Sequence, residues 1–97
     1  MAQFIAIARR KYDSFAEADF TGELLDAEAE QARRLYAEGI YRQVWGHTSP
    51  AGAVILIEAA DAAAAQAAIG TLPLYQRGML AVELIAVSPY RGFFPRA

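Results

Sequence analysis

One stretch, residues 24–45, constrains the fold most, because it reads as an amphipathic helix, a glycine stop at Gly39 and a strand ending in Trp45. At about 100° per residue, the apolar side chains of the helix fall on a single stripe that should face a core. The stripe consists of Leu24, Leu25, Ala32, Leu35 and Tyr36.

Glu28 falls in the middle of this apolar stripe, whereas the other charged residues of the helix project to the solvent side. A buried carboxylate is costly unless it is paired or neutralised. Two explanations stay open. Glu28 is a general base in an apolar pocket, with a pKa raised by desolvation, or it is a structural carboxylate paired with Arg42 or another basic group.

The composition describes one small folded protein. Of the 97 residues, 56% are hydrophobic and 21% charged, which favours a globular chain over a disordered one. The net charge of −2 gives no electrostatic footprint for nucleic acid, and without cysteine there is no thiol nucleophile or disulfide framework. No signal peptide or membrane-length apolar run is evident. We expect a single domain over residues 1–97, located in the cytoplasm, with no nucleic-acid or membrane partner.

The remaining segments predict a βαββαβ order. Strands are expected at 3–10, 40–45, 53–58 and 79–87. The main helix should start at an N-cap, Thr21, and a short alanine-rich helix should run from Asp61 to Ile69. The segments 47–52 and 71–78 read as loops, and Ser14 with Glu17 indicates a helical turn. The order is that of the ferredoxin-like α+β fold, a four-stranded antiparallel sheet with two helices on one face.

The sheet face without helices is too apolar to be left in water. Strand three is apolar on both sides, with Val54 and Leu56 opposite to Ile55 and Ile57. An exposed patch of that size indicates an interaction surface. We expect a homodimer at least, packed sheet to sheet, with Glu83 in an intersubunit ion pair. The aromatic tail, residues 88–97, is expected to pack on a neighbouring subunit.

Several other residues are candidates for a site. Arg42 could orient an anionic substrate by a bidentate contact, or it pairs with Glu28, or it lies on a solvated edge. The candidate pocket walls are Tyr36, Tyr41, Gln43 and Trp45, and Tyr75 and Arg77 could border the cleft. His47, the one histidine, is a candidate base but has no second metal ligand at suitable spacing. No phosphate-binding loop is present, so an enzyme of this kind would work without a metal or cofactor, by proton transfer.

Glu28, Gly39, Arg42 and Trp45 give the pattern E-x10-G-x-x-R-x-x-W, and Leu72-Pro73-Leu74 follows it. In order and spacing these motifs resemble those of the muconolactone delta-isomerases, over about residues 24–87. The resemblance implies a subunit of the dimeric α+β barrel group, a ring-like decamer, and a cofactor-free 1,3-proton shift on a lactone in aromatic catabolism. It also implies that Glu28 is the base.

The chain departs from that family at positions expected to border the pocket. Gln43 stands where the isomerases have histidine, and YQRGM after the LPL motif and the loop with His47 and Pro50 also differ. The reaction type is therefore expected to be shared and the substrate to differ.

The combined interpretation is a small-molecule isomerase. Glu28 would remove a proton alpha to a carbonyl and return it at the vinylogous carbon, while Arg42 and a tyrosine hydroxyl stabilise the dienolate. One rival is a cofactor-free cyclase or monooxygenase of the same barrel group, with His47 in the cleft. The other is a non-catalytic, small-molecule-binding oligomeric protein in which Glu28 is merely paired.

Overall fold

A computed structural model of the chain describes residues 1–48 and 51–93. The strands are β1 (Ala2–Arg10), β2 (Tyr41–Thr48), β3 (Ala51–Ala59) and β4 (Leu80–Val87). The helices are α1 (Gly22–Ala37), α2 (Ala62–Ile69) and α3 (Pro73–Gln76), and short 3-10 turns cover Glu17–Asp19 and Arg91–Phe93. The strands form one antiparallel sheet in the order β2-β3-β1-β4. The predicted βαββαβ fold is confirmed, with α3 as an additional element.

The alternation of side chains along β1 decides which face of the sheet carries the core. Phe4, Ala6 and Ala8 are buried, whereas Ile5 and Ile7 point to the other face, as predicted. Leu35 of α1 and Ile69 of α2 belong to the same buried cluster as Phe4. Burial of a large apolar side chain contributes about 1.5–3 kcal/mol, so this helix-facing layer is the main source of stability.

The ends of the two longer helices follow the sequence signals. Thr21 Oγ1 accepts a hydrogen bond from the Leu24 N–H at 3.2 Å, and Asp61 Oδ1 accepts one from the Ala64 N–H at 2.8 Å. Both contacts satisfy backbone donors that a helix leaves unpaired at its N-terminus. Beyond α1, Gly39 has a φ of 80°, which lets the chain leave the helix and enter β2.

The predicted loops are wrong in part. Instead of a loop over 47–52, β2 continues to Thr48 and β3 starts at Ala51, because the strand pairing persists to a Thr48–Ala51 pair. The segment 71–78 contains α3, since Pro73 at the first helical position favours helix initiation. A helical turn is present in the segment before α1, as predicted, but it covers Glu17–Asp19 and begins after Ala16 rather than at Ser14.

A β-bulge in β2 changes the expected alternation of its side chains. Tyr41 pairs with Ile57, but the next pair is Gln43 with Leu56, so Arg42 is the extra residue. Tyr41 and Val44 therefore face the helices together. Gln43 and Trp45 face the opposite side of the sheet, although simple alternation would group Tyr41 with them.

The helix-free face is apolar, as the sequence predicts. Its central row is Leu56, Ile5 and Ile85 on three adjacent strands, and Ile85 is 38% exposed. Trp45, 49% exposed, lies on the same face opposite Val54. Within the described residues, no helix is long and apolar enough to cross a membrane.

The left-handed turn after α1 gives a first test. We expect Gly39→Ala to lower the free energy of unfolding by about 1 kcal/mol, because a residue with a Cβ atom is strained at positive φ. The Cβ itself has room, since its nearest neighbour would be Arg42 Nη1 at 3.6 Å. Urea denaturation measures the difference.

Gly22→Ala is the matched control, because a Cβ on Gly22 would meet nothing within 4 Å and the residue begins α1. Equal stability of the two variants would show that the turn after α1 does not need glycine.

Candidate functional site

A cavity of about 230 Å³ lies between the sheet and the helices α1 and α3. Its larger apolar walls are Leu25, Val44, Ile55, Leu72, Leu74 and Leu80, with alanines between them. Three polar side chains also line it: Glu28 from α1, Tyr41 from β2 and Arg10 from β1. The cavity thus brings one carboxyl group, one phenolic hydroxyl and one guanidinium together in apolar surroundings, which is the usual character of a small-molecule site.

Glu28 faces the core side of α1, as predicted, and it is half-buried. Its Oε1 accepts a hydrogen bond from the Leu74 N–H at 2.9 Å, at the start of α3. Pro73 has no N–H, so Leu74 presents the first free backbone donor of that helix. The contact orients one carboxylate oxygen and makes Glu28 a tie between α1 and α3.

The pKa of Glu28 is raised above its ordinary value because burial disfavours the charged form. The Leu74 hydrogen bond and the positive charge of Arg10 act in the opposite direction, but they do not outweigh desolvation. A carboxylate with a raised pKa is a better proton acceptor once ionised. The raised pKa therefore makes Glu28 take up a proton more readily than an exposed glutamate does.

The Tyr41 hydroxyl is buried and has no hydrogen-bond partner among the described residues. Its pKa is raised by burial and, secondarily, by the negative charge of Glu28. The hydroxyl therefore stays protonated and able to donate. A buried donor without a partner costs about 1–3 kcal/mol, so an unpaired hydroxyl in a cavity wall is suited to a ligand.

Arg10 was not among the sequence candidates, yet it lines the cavity from the end of β1. Its Nη1 donates to the Tyr12 hydroxyl at 3.2 Å, and its guanidinium lies 5.2 Å from the centre of the Phe20 ring. The sequence did indicate this position, because Arg10 lies on the same face of β1 as the buried Phe4 and Ala8 when side chains alternate along the strand. A charge on the core-facing side of a strand is the counterpart of Glu28 on the helix.

Arg42 does not line this cavity. It is the bulged residue of β2, its side chain is exposed, and its Nη1 lies close to Gly39. Among the described residues, Glu28 forms no ion pair with Arg42; the two side-chain ion pairs there join Glu30 to Arg33 and Arg34. The substrate-binding role of Arg42 stays a prediction that this cavity does not support.

The remaining candidates lie outside the cavity walls. Tyr36 is 63% exposed on α1, and Gln43 and Trp45 lie on the helix-free face of the sheet. The backbone of His47, in β2, pairs with Gly52 of β3, and the expectation for the His47 side chain falls outside what the structure describes. Tyr75 accepts a hydrogen bond from Gln66 Nε2 at 3.1 Å, and Arg77 is exposed.

Across the described part of the chain, no three His, Asp or Glu side chains come together as a metal site would require. Comparison with protein-family models gives no match for the chain, and comparison with curated proteins gives none either. The function must therefore be inferred from the chemistry of the cavity and from the motifs of the chain itself.

The raised pKa of Glu28 predicts how stability changes with pH. The folded state holds this proton more tightly than the unfolded chain does, so the contribution of Glu28 is fully present below its ordinary pKa of 4.5 and is lost as pH rises through the folded value. Glu28→Gln carries no charge at any pH. Its free energy of unfolding should therefore rise relative to wild type between about pH 4 and about pH 8.

Urea denaturation at both pH values measures this difference. Glu23→Gln, at an exposed position in the first turn of the same helix, is the control and should not show the rise. A Glu28→Gln variant that loses stability relative to wild type as pH increases would mean that the ionised carboxylate stabilises the fold.

Proposed function

We propose that this protein is a cytoplasmic, cofactor-independent isomerase, similar to the muconolactone delta-isomerases, that moves a proton on a small unsaturated lactone. The observation that carries the proposal is Glu28, a carboxylate with a raised pKa in an apolar cavity that it shares with Tyr41, whose hydroxyl has no partner among the described residues. The motif resemblance supports it independently, because Glu28 matches the position of the base in that family.

The reaction needs one group that takes up a proton and gives it back. Glu28 would remove the proton from the carbon alpha to the lactone carbonyl or from the vinylogous (gamma) carbon, and the electron pair of the broken C–H bond would enter a dienolate. The protonated Glu28 would then deliver the proton to the other carbon. No atom or electron is gained or lost, so a single carboxylate suffices.

The negative charge of the dienolate develops on the carbonyl oxygen, where a hydrogen-bond donor lowers the barrier. Tyr41 supplies such a donor, since its raised pKa keeps the hydroxyl protonated and no described residue competes for it. The apolar walls formed by residues such as Ile55 and Leu80 strengthen this contact by excluding water.

The size of the cavity favours a small substrate. Sites for drug-sized ligands usually measure about 300–1,000 Å³, and this cavity is about 230 Å³. A five-membered lactone fits that volume better than the multi-ring aromatic substrates of a cyclase or monooxygenase. A lactone isomerase is therefore preferred to the other enzymes of the barrel group.

The non-catalytic rival has one observation in its favour. The hydrogen bond between Glu28 Oε1 and the Leu74 N–H is a structural role in its own right, because it anchors α3 to α1. In that case the cavity would bind a ligand, or merely remain unfilled, and Glu28 would exchange no proton with it. A test must therefore remove the base without removing the anchor.

Proton exchange makes that distinction. With muconolactone in D₂O, wild type should incorporate deuterium at the alpha carbon and at the vinylogous (gamma) carbon of the lactone, as followed by NMR. Glu28→Gln keeps an oxygen that can accept the Leu74 N–H but has no proton-accepting carboxylate, so exchange should slow by about 10²–10⁴-fold. Glu23→Gln, on the solvent side of α1, should exchange like wild type. Background exchange by folded wild type would leave Glu28 with its structural role alone.

Tyr41→Phe separates the hydroxyl from the base. Loss of one donor to a developing oxyanion costs about 10²-fold in rate. Because the hydroxyl has no partner among the described residues, its removal should leave the free energy of unfolding equal or higher. A variant that is destabilised with unchanged exchange would assign Tyr41 to the core alone.

We further propose that two copies pack through their helix-free sheet faces, as in the dimeric α+β barrel group, and that larger rings such as a decamer form from these dimers. The apolar row of Leu56, Ile5 and Ile85 supports this assembly, because a patch of this kind is rarely left in water. Glu83 lies beside Ile7 on that face, where it could pair with a basic residue of the second copy.

Ile85→Asp tests the interface, since Ile85 is 38% exposed and a carboxylate at this position would still reach water in an isolated subunit. Light scattering after size-exclusion chromatography should give at least twice the chain mass for wild type and a smaller assembly for the variant. Ala63→Asp, at an exposed position of α2, should leave the mass unchanged. A monomeric wild type would contradict the proposal.

A further inference from the structure

Arg10 brings a cation into a cavity that is otherwise apolar apart from Glu28 and Tyr41. It is the last residue of β1, its side chain is half-buried, and it contributes to the sheet side of the cavity, whereas Glu28 contributes from α1. Of the described side chains that line this cavity, only Arg10 carries a positive charge.

The guanidinium of Arg10 has binding capacity left over. It carries five N–H donors, and among the described residues its side-chain contacts are one hydrogen bond, to the Tyr12 hydroxyl, and the face of the Phe20 ring. No described carboxylate lies within ion-pairing distance, since the ion pairs there involve other arginines. Arginine presents its donors as a planar fork that matches a carboxylate.

The two contacts of Arg10 also hold it in place. The hydrogen bond to Tyr12 and the Phe20 ring restrain the guanidinium from the side of the 12–20 segment. A restrained arginine loses less conformational freedom on binding than a free one, which increases affinity and fixes orientation. The exposed Arg42, outside the cavity, has neither restraint among the described contacts.

We infer that Arg10 is the specificity-determining residue of this site and that it binds a carboxylate group carried by the substrate. The substrates would then be anionic, and neutral compounds of the same shape would bind weakly. With its carboxylate on Arg10 at the sheet side, such a lactone would present its alpha and gamma carbons toward Glu28 on the helix side. That orientation role depends on the proposed isomerase function; the anion binding does not.

The test compares muconolactone, which carries a carboxylate, with its primary amide, which has nearly the same shape without the charge. NMR titration gives the dissociation constant of each ligand for wild type, Arg10→Gln, Arg10→Lys and Arg42→Gln. Wild type should bind the carboxylate at least about tenfold more tightly than the amide, because one charge-assisted bidentate contact is of that size or larger.

Arg10→Gln should abolish the preference by weakening carboxylate binding while affinity for the amide is retained. Arg10→Lys, which keeps the charge but not the fork, should retain part of the preference. Arg42→Gln should behave like wild type. A preference lost in Arg42→Gln and kept in Arg10→Gln would overturn the inference. It would also be overturned if wild type bound the acid and the amide equally tightly, or bound neither of them.

Deuterium exchange in the same samples separates this inference from the isomerase proposal. Arg10-dependent carboxylate binding without exchange would establish the anion site and refute the isomerase. Glu28-dependent exchange that proceeds equally well on the acid and the amide, with equal dissociation constants, would support the isomerase and refute the role of Arg10.

Discussion

The hydrogen bond from the Leu74 N–H to Glu28 holds together the two helices that enclose the cavity. The helix α3 has only four residues, too few to be stable alone, so it depends on this contact and on the burial of Leu72 and Leu74. In return the helix fixes one oxygen of the carboxylate. The wall of the cavity and the direction of its acid are thus set by the same bond, and one cannot move without the other.

The polar groups of the cavity shift one another's pKa without forming a close pair among the described residues. Desolvation raises the pKa of Glu28 while Arg10 and the Leu74 N–H lower it, and the charge of Glu28 in turn raises the pKa of Tyr41. A protein selected for stability alone would pair such groups closely or replace them by apolar side chains. Here they remain separate around an open volume, and groups with perturbed pKa values in a cavity are more typical of functional sites than of structural ones.

Local patterns predicted much of the fold and the acid of the site, because those features depend on neighbours along the chain. Helical periodicity placed Glu28 on the core side, and Thr21 and Gly39 marked the ends of α1. Features that depend on pairing between distant strands were missed. The strands run on into the predicted 47–52 loop, and the bulge carries Arg42 away from the cavity. Arg10 was overlooked because a charge at a strand end usually lies in solvent.

The bulge at Arg42 has a consequence for how sequence change divides between the two faces of the sheet. In a regular strand, Tyr41 and Trp45 would lie on the same face of the sheet, and a substitution at either position would alter that one face. The extra residue assigns Tyr41 to the interior and Trp45 to the exterior. Substitutions on the helix-free face of β2 can therefore accumulate without changing the side chains that β2 contributes to the cavity. The cavity and the outer face of the strand can vary independently in evolution.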